Sequence, residues 1–188
     1  MLSSAARRLD SGHLQIERVR EGIATMPPLG SPAGRWRMHE VIGDAELGII
    51  ALDKALDIII NKLPGSFRVK LPIPQLVRAK WPLVGRLRDH YSHIDERALG
   101  KVWGKASPEA EKAWAFAALF EDRELTDGTE SLSIDDEATE LCVAARGYLV
   151  AAWQQLVERG RATQSEGGTP ESAEPLEAGG EPELSRPR

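Results

Sequence analysis

A single cysteine, Cys142, stands in a chain of 188 residues. It excludes an intramolecular disulfide and any multi-cysteine zinc site, and it predicts a reducing, cytoplasmic setting. Long apolar runs are also lacking. None, that around Ile58 to Ile60 included, approaches the roughly 20 residues of a membrane-spanning helix, so no membrane contact is expected. Met1 to Asp10 carries Arg7 and Arg8 without an apolar run behind them, which does not read as a secretory leader. Nor is there an excess of positive charge. The net charge is -5, and the segment from Arg161 onward, with six Glu and three Arg, holds more than half of it. The rest is close to neutral, so any phosphate contact requires a local cluster of Lys and Arg. A Gly-rich phosphate loop, a Ser nucleophile elbow, zinc-ligand spacing and internal repeats are all missing.

What is present suits one helical domain. With 41% apolar and 28% charged residues, a chain of this length can bury a sizeable core. Leu14, Ile16, Val19 and Ile23 predict a first helix starting at the Asp10-Ser11 cap, and the Pro- and Gly-rich stretch 26–34 breaks it. Residues 1–34 thus read as a helix and loop ahead of a bundle spanning 35–159. From Arg35 to Leu63, Val41, Ala45, Gly48, Leu52, Ala55 and Ile59 recur at helical spacing, widened by Met38, Ile42, Ile49 and Leu56. A second long helix is predicted over Ile73 to Ala98 along Val84, Leu87, Tyr91, Ile94 and Ala98, with Pro82 starting or kinking it. Gly100 and Gly104 end it, and Ser107-Pro108 opens a short helix over Ala110 to Glu121. Asp127-Gly128, between short alternating segments, predicts a small hairpin within 124–134. Ser133 or Asp135 caps a last helix reaching Glu158, with Ala138, Leu141, Ala145, Leu149, Ala152 and Leu156 inward and Cys142 in the core. Residues 160–188 are too poor in apolar groups to offset the entropy of ordering and read as an acidic, disordered tail. The expected fold is therefore all-α, an up-down bundle of four to five helices. Trp36, Trp81 and Trp103 fall at element ends, where they are expected to cover the edge of the core.

Residues 85–97 form the densest polar cluster: Arg86, Arg88, Asp89, His90, His93, Asp95, Glu96 and Arg97 on one helix. At about 100° per residue, Arg86 returns to within roughly 20° of His93, with Asp89, His90 and Arg97 on that flank, while Arg88 lies about 140° away. A histidine can move a proton near neutral pH and an arginine can hold charge on phosphate oxygens, a pairing suited to phosphodiester transesterification without a metal. Asp89 can orient the imidazole of His93. The same residues also suit ordinary ion pairs on a solvated helix face. Tyr91 falls on the apolar seam, as a core residue or a phosphate contact. His90 and His93 alone, three residues apart, are too few for a metal site.

In Arg88-Asp89-His90-Tyr91-Ser92-His93 and in Arg86 to His93, the segment resembles the HEPN superfamily. Its nuclease members are helical bundles with an Arg, usually followed by a polar residue, and a His after four to six intervening positions. The family pattern favours Arg88, followed by Asp89; helical geometry favours Arg86. The resemblance implies a metal-independent endoribonuclease needing no cofactor, with His93, Arg88, Arg86 and Asp89 as catalytic candidates and His90, Arg97 and Tyr91 against RNA. It also implies a homodimer with both motifs facing one cleft, and a toxin or antiphage role with a protein antitoxin or regulatory partner. The competing reading is a non-catalytic helical module that binds a partner or a second copy.

Overall fold

A computed structural model describes residues 1–92, 101–102, 105–106 and 118–166. Five helices dominate it: α1 (Leu2–Ala24), α2 (Pro32–Asp57), the short α3 (Leu63–Ser66), α4 (Gln75–Tyr91) and α5 (Glu137–Glu166). Among them lie the strands β1 (Lys101–Val102), β2 (Lys105–Ala106), β3 (Glu124–Thr126) and β4 (Ser131–Ser133). The all-α, up-down bundle read from the sequence is the observed architecture, and the hairpin is present as β3 and β4. No helix among the described residues is long and apolar enough to cross a membrane.

α1 and α2 run antiparallel, because Gly12 lies against Gly48 and Leu52 while Gly22 lies against Val41. Added Cβ atoms would come within 2.8 Å of Leu52 and 2.4 Å of Val41, so both glycines permit a close helix approach that a side chain would block. α1 begins at Leu2, well ahead of the predicted start at the Asp10-Ser11 cap. Its inward positions Ala5, Leu9, Gly12, Ile16 and Val19 keep a four-three rhythm, but the small residues hide it from a search for large apolar side chains. Ser31 caps α2 by accepting a hydrogen bond from the Gly34 N–H at 2.9 Å, with Pro32 following it. That places the start three residues before Arg35. At the other end the α-helix stops at Asp57, and a π-helical turn over Ile58–Lys62 leads into α3.

α4 starts behind Pro74, and Pro82 sits inside it on an exposed position. Val84, Leu87 and Tyr91 are buried as expected, whereas Ile94 and Ala98 lie outside the described residues. The helix expected over Ala110 to Glu121 also falls largely outside them; its end is a π-helical turn, Ala118–Asp122. The pairing of β1 with β2, Lys101 opposite Ala106 and Val102 opposite Lys105, was not foreseen between Gly100 and Ser107.

β3 and β4 pair antiparallel with Leu125 opposite Leu132, both buried. The intervening loop is built on Asp127, whose Oδ1 accepts from the Thr129 N–H at 2.8 Å, the Thr129 hydroxyl at 2.7 Å and the Glu130 N–H at 2.9 Å. Gly128 takes φ 89° there, the conformation glycine tolerates. α5 starts with mutual capping, the Ser133 hydroxyl facing the Asp136 N–H and Glu137 accepting from the Ser133 N–H at 3.2 Å. The helix continues to Glu166, eight residues past Glu158, running through Gly160.

Arg20 ties α1 to the start of α5. Its guanidinium donates to the carbonyl of Ile134 at 2.7 Å and of Asp135 at 2.6 Å, and to Thr139 and Glu17. Arg123, at φ 58°, forks onto both oxygens of Asp135 at 2.6 and 2.7 Å, which holds a backbone conformation a non-glycine residue rarely adopts.

Candidate functional site

α4 carries the polar cluster, and residues two apart on a helix point to nearly opposite flanks. Arg86 and Arg88 accordingly reach different parts of the molecule. Arg86 turns to the hairpin: its Nε donates to Asp127 Oδ2 at 2.7 Å and its Nη2 to Glu130. Burial alone would raise the Asp127 pKa, but the hydrogen bonds from Thr129, Glu130 and Arg86 outweigh it and hold the carboxyl well below its usual range. Arg86, with its own pKa raised chiefly by the bond to Asp127, therefore bolts β3 and β4 onto α4.

Arg88 turns the other way, towards α2. Its Nε and Nη2 donate to Asp89 Oδ1 at 3.0 and 2.6 Å, and its Nη1 donates to Asp53 Oδ2 at 2.6 Å. Asp53 is buried among the apolar positions of α2, where an unpartnered carboxylate would be strongly unfavourable. The bonds to Asp89 first, and then to Asp53, raise the Arg88 pKa against desolvation. Each terminal nitrogen of Arg88 keeps a second N–H outside these bonds, in the guanidinium's fixed planar geometry. The side chain is 39% exposed.

Arg88 opens on a cleft of about 440 Å³ between α1, α2 and α4, shared with Arg8, Asp53, Lys54, Asp57 and Trp81. Arg8 and Lys54 also line an adjoining groove together with Arg7. Among the described residues, no carboxylate is in ion-pair contact with Arg8 or Lys54. A strip of cations thus runs from α1 across α2 to Arg88, with one indole beside it. Arg8, Lys54, Asp53 and Trp81 were all missed as companions of the motif. Asp53 offered the one usable signal, a lone charge between Ile49 and Leu56 on a buried stripe.

His90 and Tyr91, which the resemblance implies against RNA, are both buried, with 4% and 1% of their surfaces exposed, and Tyr91 takes the core position that was one of its two readings. Their rings meet edge to face at 5.6 Å. His90 belongs to the inward series Leu83, Leu87, His90, Tyr91, so the spacing that places it near Arg86 also carries it into the core. Burial raises the Tyr91 phenol above its ordinary pKa, while a hydrogen bond with the Thr126 backbone pulls the other way. His93 and Arg97, the remaining site candidates, lie outside the described residues, as does Trp103. Trp36 is exposed rather than spread over a core edge. Among the described residues no group of three or more His, Cys, Asp or Glu is arranged to hold a metal ion. Cys142 is buried, and burial pushes its thiol up to about 11, the behaviour of a core residue and not of a nucleophile.

Comparison of the chain with family models, with curated proteins and with solved structures found no match.

Proposed function

We propose that this chain acts on RNA as a HEPN-like, metal-independent endoribonuclease, with Arg88 and not Arg86 as the arginine that works with His93. The observation that supports this frame is the opposite placement of the two guanidiniums. Arg86 is bonded to Asp127 and Glu130 of the hairpin, whereas Arg88, itself bonded to Asp53 and Asp89, borders a solvent-open cleft with Arg8, Lys54 and Trp81. The cations suit a phosphate backbone and the indole suits a stacked base.

In this reading His93 takes the proton of a ribose 2'-hydroxyl, whose oxygen attacks the adjacent phosphorus. The bond from phosphorus to the 5'-oxygen breaks, and the leaving oxygen takes the proton that His93 has accepted. Arg88, oriented by Asp89 and Asp53, stabilises the charge that grows on the non-bridging oxygens. A toxin or antiphage role, checked by a protein partner, is the biological setting the resemblance carries with it.

The test compares cleavage of single-stranded RNA by the wild type and by Arg86→Ala, Arg88→Ala and His93→Ala, each normalised to its folded fraction. Arg88→Ala and His93→Ala are expected to lose on the order of 100-fold or more in rate, and Arg86→Ala to keep its rate while melting at lower temperature. An inactive wild type, or an Arg86→Ala loss equal to that of Arg88→Ala, overturns the assignment.

A second reading, a helical interaction module without catalysis, is favoured by one observation. Trp153, Val150 and Met1 stand exposed around an apolar groove between α5 and the start of α1.

A further inference from the structure

Single exposed apolar side chains are ordinary on a protein surface, but a contiguous set on one face marks a contact. Among the described residues, Met1, Val143, Val150 and Trp153 are 58%, 61%, 53% and 60% exposed, and all four belong to α5 or to the chain end packed beside it. Met1, Val150 and Trp153 rim an open groove of about 760 Å³ whose floor includes Leu2, Phe67, Leu149 and Leu156, and Val143 stands outside it, earlier on α5. No residue of α4 lines it.

The pattern along α5 points to a helix as the covering element. Val143, Gly147, Val150, Gln154 and Val157 follow one another at steps of four and three, the rhythm of a helix-to-helix seam. All but Val157, which is half-buried, are exposed. The inward stripe of α5, Ala138, Leu141, Ala145, Leu149 and Ala152, is already used by the bundle. The outer seam, three valines with Gly147 and Gln154 between them, is therefore a second line on the same helix. Gly147 lies near its middle, and a Cβ placed there would meet nothing within 4 Å. Its bare backbone lets another helix come close, since interaxial distance depends on the side chains at the crossing.

Charge narrows the choice of occupant. Beside Gly147, Arg146 donates to Asp10 of α1 at 2.5 Å, with both side chains about half exposed. The middle of the seam thus carries one charge of each sign and no net field, which gives no advantage to a strongly acidic or basic partner. It does match itself: under a two-fold rotation, Arg146 of one copy can face Asp10 of the other, and Asp10 the other's Arg146.

We propose that two copies of this chain pair through the outer face of α5, crossing antiparallel near Gly147. Val143 of each copy then packs on Val150 of the other, with Trp153 flanking the crossing on both sides and Asp10 and Arg146 exchanging partners across the axis. This interface leaves α4 and the Arg88 cleft outside, unlike the motif-to-motif arrangement that the family resemblance implies.

The test is sedimentation velocity on the full chain over about 1 to 200 µM. The wild type should shift from monomer to dimer in that range, and Val150→Glu should weaken association by about 100-fold or more. Circular dichroism should stay the same, and so should the melting temperature at about 1 µM, where both proteins are monomeric, because Val150 faces solvent. The decisive arm uses Asp10→Arg and Arg146→Asp. Each alone should be monomeric, and an equimolar mixture should recover dimer, because only the mixed pair sets opposite charges together at both contacts. A monomeric wild type throughout the range, a dimer indifferent to Val150→Glu, or a mixture no better than either variant alone overturns the proposal. RNA cleavage is not the readout, so the outcome is independent of the ribonuclease reading.

Discussion

At the scale of single residues, the α4 cluster separates by what each charge touches. Asp53 is the buried partner on which the Arg88 geometry rests. Asp53→Ala should lower stability by about 1 to 3 kcal/mol, between the values for exposed and for fully buried pairs, because Arg88 is partly exposed. Chemical denaturation of Asp53→Ala, Arg88→Ala and the double variant checks this: the double should cost clearly less than the sum of the singles. Arg20 is a second such residue. It satisfies the carbonyls of Ile134 and Asp135 where the hairpin turns into α5, and Arg20→Ala should destabilise by about 2 to 3 kcal/mol through loss of charge-assisted bonds. A loss within experimental error would show that water replaces the guanidinium at that turn. Cys142, with its thiol at about 11, should resist a thiol reagent in the native protein at neutral pH and react at once on unfolding.

Among the elements, the hairpin and its two junctions depend on carboxylates. Asp127 is held well below its usual range against the opposing effect of burial, Asp135 is lowered first by its hydrogen bond with Arg123, and Glu137 first by Lys80. A folded-state pKa below the unfolded value contributes stability that is complete above about pH 4 and is lost as pH falls through the folded value. Melting temperature should therefore hold steady down to about pH 4 and drop below it. Asp127→Asn should start lower and fall less steeply; an unchanged slope would contradict the role given to that carboxylate. In the helix pair α1 and α2, Gly22→Ala should cost about 1 to 3 kcal/mol, because a β-branched Val41 stands where the new Cβ would go.

The legibility of these elements followed the size of their side chains. The large inward residues of α2 and α5 announced themselves, and every apolar position named on the inner seam of α5 is buried except Leu156, which is half-buried. α1 was half missed because Ala5 and Gly12 carry too little apolar surface to mark a face. The hairpin was legible from Asp127-Gly128, but its clasp on Arg86 is a contact between residues 41 and 44 positions apart, and no local pattern encodes it. For the same reason helical rotation could group Arg86 with Asp89 and His90 yet could not tell solvent from core. The neighbouring elements decided that, sending His90 inward and Arg86 to the hairpin.

At the scale of the whole molecule, the bundle gives α4 two unlike flanks. One is occupied by β3 and β4 through Arg86, and the other opens with Arg88 onto α1 and α2, where Arg8 and Lys54 add charge from distant parts of the chain. α5 adds a third surface, apolar and facing away from its own bundle stripe. A bundle close to neutral ahead of its acidic tail can in this way hold a local strip of cations without a global basic field. The claim that depends on this arrangement is RNA cleavage by internal transesterification, and the ends of the products report on it directly. Single-stranded RNA incubated with the wild type in excess chelator should yield fragments ending in 2',3'-cyclic phosphate, and a single 2'-deoxy substitution at the cut position should block cleavage there. Intact RNA, cleavage that requires an added divalent metal, or cutting that proceeds past the 2'-deoxy sugar would contradict the account.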